Sequence, residues 1–185
     1  MSDNNGSSNA KVKVATVWLD GCSGCHMSFL DIDQRLIELA DRIELVYSPL
    51  VDNKIFPEMV DLTLVEGAVS TDEDIVKIRK IRTHTKLLIA LGDCAVTSNV
   101  PGMRNPIGVE PTMKRAYREN VQTQPRYPTA HLPRLLERVR PIHEVVKVDL
   151  FVPGCPPPAD AIWAVLEALL GGKNPDVAKL TRFGR

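Results

Sequence analysis

Four cysteines are the residues of this chain whose type and spacing could do chemistry. Cys22 and Cys25 form a CxxC within Gly21-Cys22-Ser23-Gly24-Cys25-His26. Cys94 stands in Leu91-Gly92-Asp93-Cys94, and Cys155 in Pro153-Gly154-Cys155-Pro156-Pro157-Pro158. Each group follows a β-like run, so the pattern is strand then cysteine, three times over. Four thiolates at one locus suit a [4Fe-4S] cluster, a four-cysteine zinc site or two disulfides. Compact zinc sites usually supply two close CxxC pairs, whereas one pair plus two singletons suits a cluster spread over several loops of a preformed sheet. Cys155-Pro156 also matches the Cys-Pro ending of bacterial ferredoxin ligand runs, where proline stiffens the loop and removes an N–H donor. Gly21, Gly24, Gly92 and Gly154 accompany the cysteines and let the backbone approach a bulky group and aim N–H donors at sulfur.

The elements that must position these cysteines read as alternating strands and helices. Val12 to Leu19 is β-rich and too continuously apolar for a half-exposed strand, which predicts a central strand covered on both faces. Ser28 to Arg42 carries Phe29, Ile32, Leu36, Ile37 and Ala40 near a 3.6 period, which predicts one helix with Ser28 as its N-cap. Ile43 to Leu50 and Leu62 to Val69 read as the second and third strands, the latter with its end marked by Gly67. Ser70 and Glu73 fit a capping box for a helix running to about Thr83, with acidic residues complementing the helix dipole. Lys86 to Leu91 and Val145 to Val152 complete five strands. Pro158 to Leu170 is the closing helix, stopped by Gly171-Gly172. Such alternation implies an α/β fold, a parallel sheet wrapped on both faces by helices. In such a sheet the loops after the strands gather at one end, so topology brings Cys22, Cys94 and Cys155 together, and Cys25 follows Cys22.

At 185 residues and 44% apolar composition the chain can bury one substantial core. Lys+Arg and Asp+Glu both number 23, a balance that speaks against nucleic acid or an anionic membrane as partner. Near-zero net charge gives little colloidal protection and points to a permanent complex. Residues 1–10 read as a disordered polar tail with no signal sequence, and 11–185 as one domain. No apolar run approaches the ~18 residues that span a bilayer. The expected compartment is the cytoplasm, where four cysteines more often mean metal or redox chemistry than disulfides.

Residues 95–133 are the exception to the alternation. Pro101, Pro106, Pro111, Pro125, Pro128 and Pro133 interrupt them, with one short helix expected around Thr112 to Glu119. Met103, Ile107, Val109, Tyr117 and Tyr127 are interspersed with Arg104, Lys114, Arg115, Arg118 and Arg126. A connection this long inside a compact domain is usually functional or disordered, and the expectation here is an irregular segment ordered by docking on a partner subunit.

With these residues in hand, VATVWLDGCSGCHMSFLD, LVEGAVSTDED, LGDCAVTSNVPGMRN and VPGCPPPADAI resemble, in the same order, the cluster-binding motifs of the small subunit of [NiFe] hydrogenases. The likeness runs from Lys11 to about Gly172 and is strongest to the short small subunit of cytoplasmic NAD-reducing (bidirectional) hydrogenases. That resemblance implies a flavodoxin-like doubly wound sheet of about five strands and one proximal [4Fe-4S] cluster on Cys22, Cys25, Cys94 and Cys155. It implies an oxidoreductase subunit that relays electrons without a complete active site of its own. The implied partners are a large subunit carrying the Ni-Fe centre and a diaphorase module with FMN, Fe-S clusters and an NAD site. A sulfur-reducing multisubunit hydrogenase and a structural zinc module stay open as alternatives. The homologous respiratory NADH:quinone oxidoreductase subunit differs in having two adjacent cysteine ligands, where Ser23-Gly24 separates Cys22 from Cys25 here.

Among the remaining residues, Glu66 at the end of the third strand is expected on the cysteine-bearing end, as a loop-positioning or proton-path carboxylate. His26 is a candidate donor to sulfur or interface residue, and Pro156 a candidate neighbour of the cluster. Asp93 reads as a turn former beside Cys94, and His84 as a helix C-terminal dipole contact. A flavodoxin-like sheet also admits FMN in this subunit. The loop after the first strand that would cradle its phosphate is, however, the loop used by Cys22 and Cys25, and no separate Ser/Thr-rich phosphate loop is present.

Overall fold

Apolar residues alternate between two faces along the central strands, and that period of two sets the architecture. The structure, a computed structural model, describes residues 10–184. Strands β1 (Val12–Trp18), β2 (Ile43–Tyr47), β3 (Val60–Glu66), β5 (Thr85–Leu91) and β7 (Leu150–Val152) form one parallel sheet in the order β2-β1-β3-β5-β7. Counting only its own members, the sheet runs 2-1-3-4-5, the flavodoxin-like order. Ala15, Val17, Val65, Leu88 and Ala90 point to one face, where α3 (Asp72–Thr83) adds Ile78 and Ile81. Val14, Leu62, Leu64, Ile89 and Val152 point to the other, beneath α1 (Gly24–Leu30), α2 (Arg35–Ala40) and α7 (Ala159–Leu170). The doubly wound sheet of five strands with helices on both faces is therefore as the alternation predicted. The expected tail lies outside the described residues apart from Ala10.

Several local expectations are corrected. The single helix over residues 28–42 is two helices, α1 and α2, because Asp33 adopts a left-handed φ of 59° between them. Ser28 lies inside α1, so it is not an N-cap. The capping box is Thr71 with Asp74, one residue on from Ser70 with Glu73. Gly67 ends β3 with φ +83°, and the chain then starts a short strand, β4 (Val69–Thr71). That strand pairs antiparallel with β6 (Leu135–Arg140), a two-stranded sheet absent from the sequence reading. LLERVR is largely exposed and charged, so it carries no strand-like apolar alternation. The fifth sheet strand keeps only Leu150–Val152 of the expected run, since Ile142–Glu144 is a 3₁₀ turn that leads into an irregular approach. α4 (Asp93–Thr97) runs into the segment expected to be irregular, which also holds α5 (Asn99–Gly102) and, where one short helix was expected, α6 (Val109–Lys114), continuing as a π-helical turn over Arg115–Glu119. A final short helix, α8 (Val177–Leu180), packs against α7.

Candidate metal centre

All strands of the main sheet point the same way, so the loops after β1, β5 and β7 meet at its carboxyl end and bring the four cysteines with them. All four are free thiols; Cys22 and Cys155 are exposed, while Cys25 and Cys94 are partly buried. Burial pushes the Cys25 thiol well above the usual range, and the Glu66 carboxylate and the charges of Cys94 and Cys22 push it further. Burial also raises Cys94; the Val100 backbone N–H, which favours its thiolate, pulls the other way, and Cys155, Cys22 and Glu66 add to the rise. A cation bound beside Cys25 and Cys94 would favour their thiolates against this burial.

The glycines beside the cysteines are there for space. A Cβ on Gly92, where φ is +83°, would collide with Cys25 Sγ, and one on Gly24 would stand 3.3 Å from Cys22 Sγ and 3.9 Å from Pro156 Cβ. Gly21 abuts the Gly67 backbone and comes within 4.0 Å of Cys94 Cβ at its own Cβ position. Asn99 Nδ2 donates to Cys155 Sγ at 3.5 Å.

The three cysteine-bearing loops are tied to each other by hydrogen bonds. Asp20 and Ala68 exchange backbone bonds of 3.1 and 2.7 Å, fastening the Cys22 loop to the end of β3. Ser28 Oγ donates to the carbonyl of Pro157, which joins the helix bearing Cys25 to the Cys155 loop. Asp93, expected as a turn former, is instead a buried clasp: its N–H donates to Gly154 O at 2.8 Å and its Oδ1 accepts from Gly154 N at 2.6 Å.

Glu66 lies where the third strand was expected to put it, but it is 2% exposed, buried beside Cys25. His26 is 5% exposed and does not reach sulfur: Nδ1 lies 2.5 Å from Glu66 Oε1 and Nε2 lies 2.9 Å from Thr16 Oγ1. Thr16 Oγ1 in turn donates to Ser48 Oγ at 2.8 Å. Neither of the roles expected for His26 matches this geometry, because both ring nitrogens are used inside the chain. Thr16 and Ser48 were missed; the one available signal is that Thr16 is a hydroxyl residue inside the otherwise apolar run from Val14 to Leu19. His84 caps α3, with Nδ1 at 2.7 Å from Lys80 O.

The donor set fits an iron-sulfur cluster. Four thiols come from three loops, with glycine clearance and N–H donors around them. Among the described residues no three His, Cys, Asp or Glu side chains converge at the spacing of a single ion, where sulfur atoms at a tetrahedral zinc would lie about 3.8 Å apart. FMN fits less well. A cleft of about 1050 Å³ beside the β1 loop is lined by Asp20, Asp72, Glu73 and Asp74 against Lys77 and Arg134, and the excess of carboxylates opposes a phosphate.

Fold and site together define a class: a flavodoxin-like domain whose ligand-binding end carries thiols in place of a phosphate loop. The model of the NADH ubiquinone oxidoreductase 20 Kd subunit family matches residues 22–169, and the chain belongs to that family. It is 41% identical over 172 residues to the NAD-reducing hydrogenase HoxS subunit delta of Cupriavidus necator, a match that covers 90% of this chain and 82% of that one. It is 39% identical over 166 residues to a subunit of the F420-non-reducing hydrogenase vhu of Methanocaldococcus jannaschii, covering 89% of this chain and 58% of that one. A chain of the crystal structure of NAD+-reducing [NiFe]-hydrogenase in the H2-reduced state superposes with a TM-score of 0.90 at 40% identity, covering 94% of this chain and 99% of that one. No helix among the described residues is long and apolar enough to cross a membrane.

Proposed function

We propose that this chain is the electron-transferring small subunit of an NAD-reducing [NiFe] hydrogenase, working in the cytoplasm. In this role Cys22, Cys25, Cys94 and Cys155 ligate one [4Fe-4S] cluster, proximal to a Ni-Fe site held by a large subunit and wired onward to a diaphorase module with FMN, Fe-S clusters and an NAD site. The observation that carries the proposal is the gathering of four free thiols from three loops at the ligand-binding end of a sheet that matches the HoxS delta relative over most of both chains.

When bound, the cluster would supply one-electron transfer. The chain's own residues hold and tune it. Gly21, Gly24 and Gly92 make room for it; Asn99 Nδ2 donates to the sulfur of Cys155, and such donors raise the reduction potential by favouring the more negative state. Pro156 packs beside Gly24 and helps exclude water. The Glu66–His26 pair fixes a buried carboxylate beside Cys25. Cys22 and Cys155 face outward, and Trp18 (43% exposed), Met27, Val100 and Met103 (70% exposed) add apolar surface on nearby elements. Exposed apolar side chains on the elements around the thiols suit a partner interface, here for the large subunit, and residues 95–133 would form part of it. Slow hydrogen exchange over 95–133 in the purified complex, against fast exchange in the free chain, is the expected sign of that docking.

Anaerobic purification provides the test. About four irons and four acid-labile sulfides per chain, with a reducible cluster signal, are expected. Stoichiometric zinc without labile sulfide would overturn the proposal.

A further inference from the structure

One carboxylate at the metal site binds more of the chain than its neighbours do. Asp93 is buried, stands between Gly92 and Cys94, and accepts two backbone N–H bonds: Oδ1 from Gly154 at 2.6 Å and Oδ2 from Gly184 at 2.8 Å. The first bond, with the reverse bond from Asp93 N to Gly154 O, closes a ring between the Cys94 and Cys155 loops. The second draws in a segment remote in sequence. Thr181, itself buried, fastens the same segment again through Oγ1 to Pro153 O at 2.7 Å. Asp93 immediately precedes Cys94 and Pro153 lies two residues before Cys155, so the two anchors of residues 181–184 end one on each of the loops that present those thiols.

Resting on the cysteines being cluster ligands, we propose that Asp93 is a positioning residue that sets the separation of Cys94 from Cys155, and that residues 181–184 are a working part of the metal site. A carboxylate that accepts from two backbone N–H groups is among the stronger hydrogen-bonding arrangements, and losing the acceptor for Gly154, whose bond is the buried one of the two, leaves that donor buried without a partner. The clasp joins loops whose sulfurs are separate ligands, so its loosening changes ligand geometry and admits water, two determinants of a cluster's potential. Nothing in residues 177–184 resembles a ligand motif; the segment enters the site through backbone N–H and one hydroxyl alone.

The test uses the full-length chain, metal-free and iron-loaded, with three variants. Asp93→Asn keeps the shape and replaces one acceptor oxygen by a donor. Gly184→Pro deletes the N–H at 184 and, because φ there is +70° and proline is held near about −65°, also turns the backbone away from Asp93, all without changing any charge. Asp149→Asn is the control, since Asp149 accepts from Leu88 N and pairs with Arg82 at the far end of the sheet. In the metal-free chain, residue-resolved hydrogen exchange at Gly154 is expected to quicken about tenfold or more in Asp93→Asn, less in Gly184→Pro, and not in Asp149→Asn. In the loaded chain the potential is expected to move upward in both site variants and to stay fixed in the control; Gly184→Pro separates geometry from charge. Unchanged exchange at Gly154 in both site variants overturns the clasp whatever metal is bound. Faster exchange with an unaltered potential and cluster spectrum reduces Asp93 to a stability residue and overturns the positioning role. Should Asp93→Asn fail to fold, Gly184→Pro decides alone. Absence of iron from the wild-type chain would refute the cluster assignment, while the exchange measurements would still judge the clasp.

Discussion

The two ends of the parallel sheet handle polarity in opposite ways. At the amino end, Asp61 accepts from Lys13 N and pairs with Lys86, and Asp149 accepts from Leu88 N and pairs with Arg82, all at least partly open to solvent. At the carboxyl end, Glu66, His26, Thr16, Ser48, Ser28 and Asp93 are buried, while Cys22 and Cys155 are exposed. A fold that needed only stability would favour the first arrangement, because desolvating charged groups is expensive. The carboxyl end accepts that cost to hold four thiols in place and leaves two of them facing outward, where another subunit and an electron route would have to arrive.

The contrast is broken most severely by removing one of the cysteines proposed to hold the cluster. Cys94→Ser or Cys155→Ser is expected to abolish the cluster, read as iron and labile sulfide falling to background, and to interrupt hydrogen-dependent NAD reduction in the assembled enzyme. NADH-driven reduction of an artificial acceptor by the diaphorase should survive. His26→Leu comes next: it leaves the buried Glu66 carboxyl group only the His26 backbone N–H in place of the imidazole and should cost about 3 kcal/mol. For a chain of this length that lowers the melting temperature by roughly 6–12 °C. Gly92→Ala should cost about 2–3 kcal/mol, since the new Cβ collides with Cys25 Sγ and φ is +83°; reduced iron retention beyond the thermal loss is its signature. Both changes act on the site end.

Asp149→Asn, at the other end, should cost about 1–2 kcal/mol at neutral pH and leave iron content intact. Burial alone would raise the Asp149 carboxyl, but the Leu88 N–H and the Arg82 guanidinium outweigh it and hold the group below its ordinary value. Its stabilisation is therefore present above the unfolded pKa of about 3.9 and is lost as pH falls through the lower folded value. Denaturant titrations of the wild type and the variant should converge in that acidic window; a difference that persisted undiminished below it would contradict the assignment.

Legibility in the sequence followed the range of each interaction. The CxxC, the singletons and their glycines are local patterns, and the strand-helix alternation arises from apolar periodicity, so five parallel strands and a common cysteine end could be predicted. Helix ends were less legible: one left-handed residue, Asp33, splits a helix whose apolar spacing runs straight through it. β6 was hidden because its residues pair with only a three-residue strand and three of its six, Glu137, Arg138 and Arg140, are exposed and charged. Glu66 could be placed at the site end, but not its burial.

By itself the sequence determined which residues could bind metal and that a doubly wound sheet would bring them to one end, because thiol chemistry and apolar period are carried by residue type and near neighbours. Tertiary structure alone decided how those thiols are held. Asp93 meets Gly154 across 61 positions and Gly184 across 91, and His26 meets Glu66 across 40. Contacts of that range depend on which loops the completed sheet brings together, and a polar residue in a loop shows no sign of its partner until the chain has closed around it.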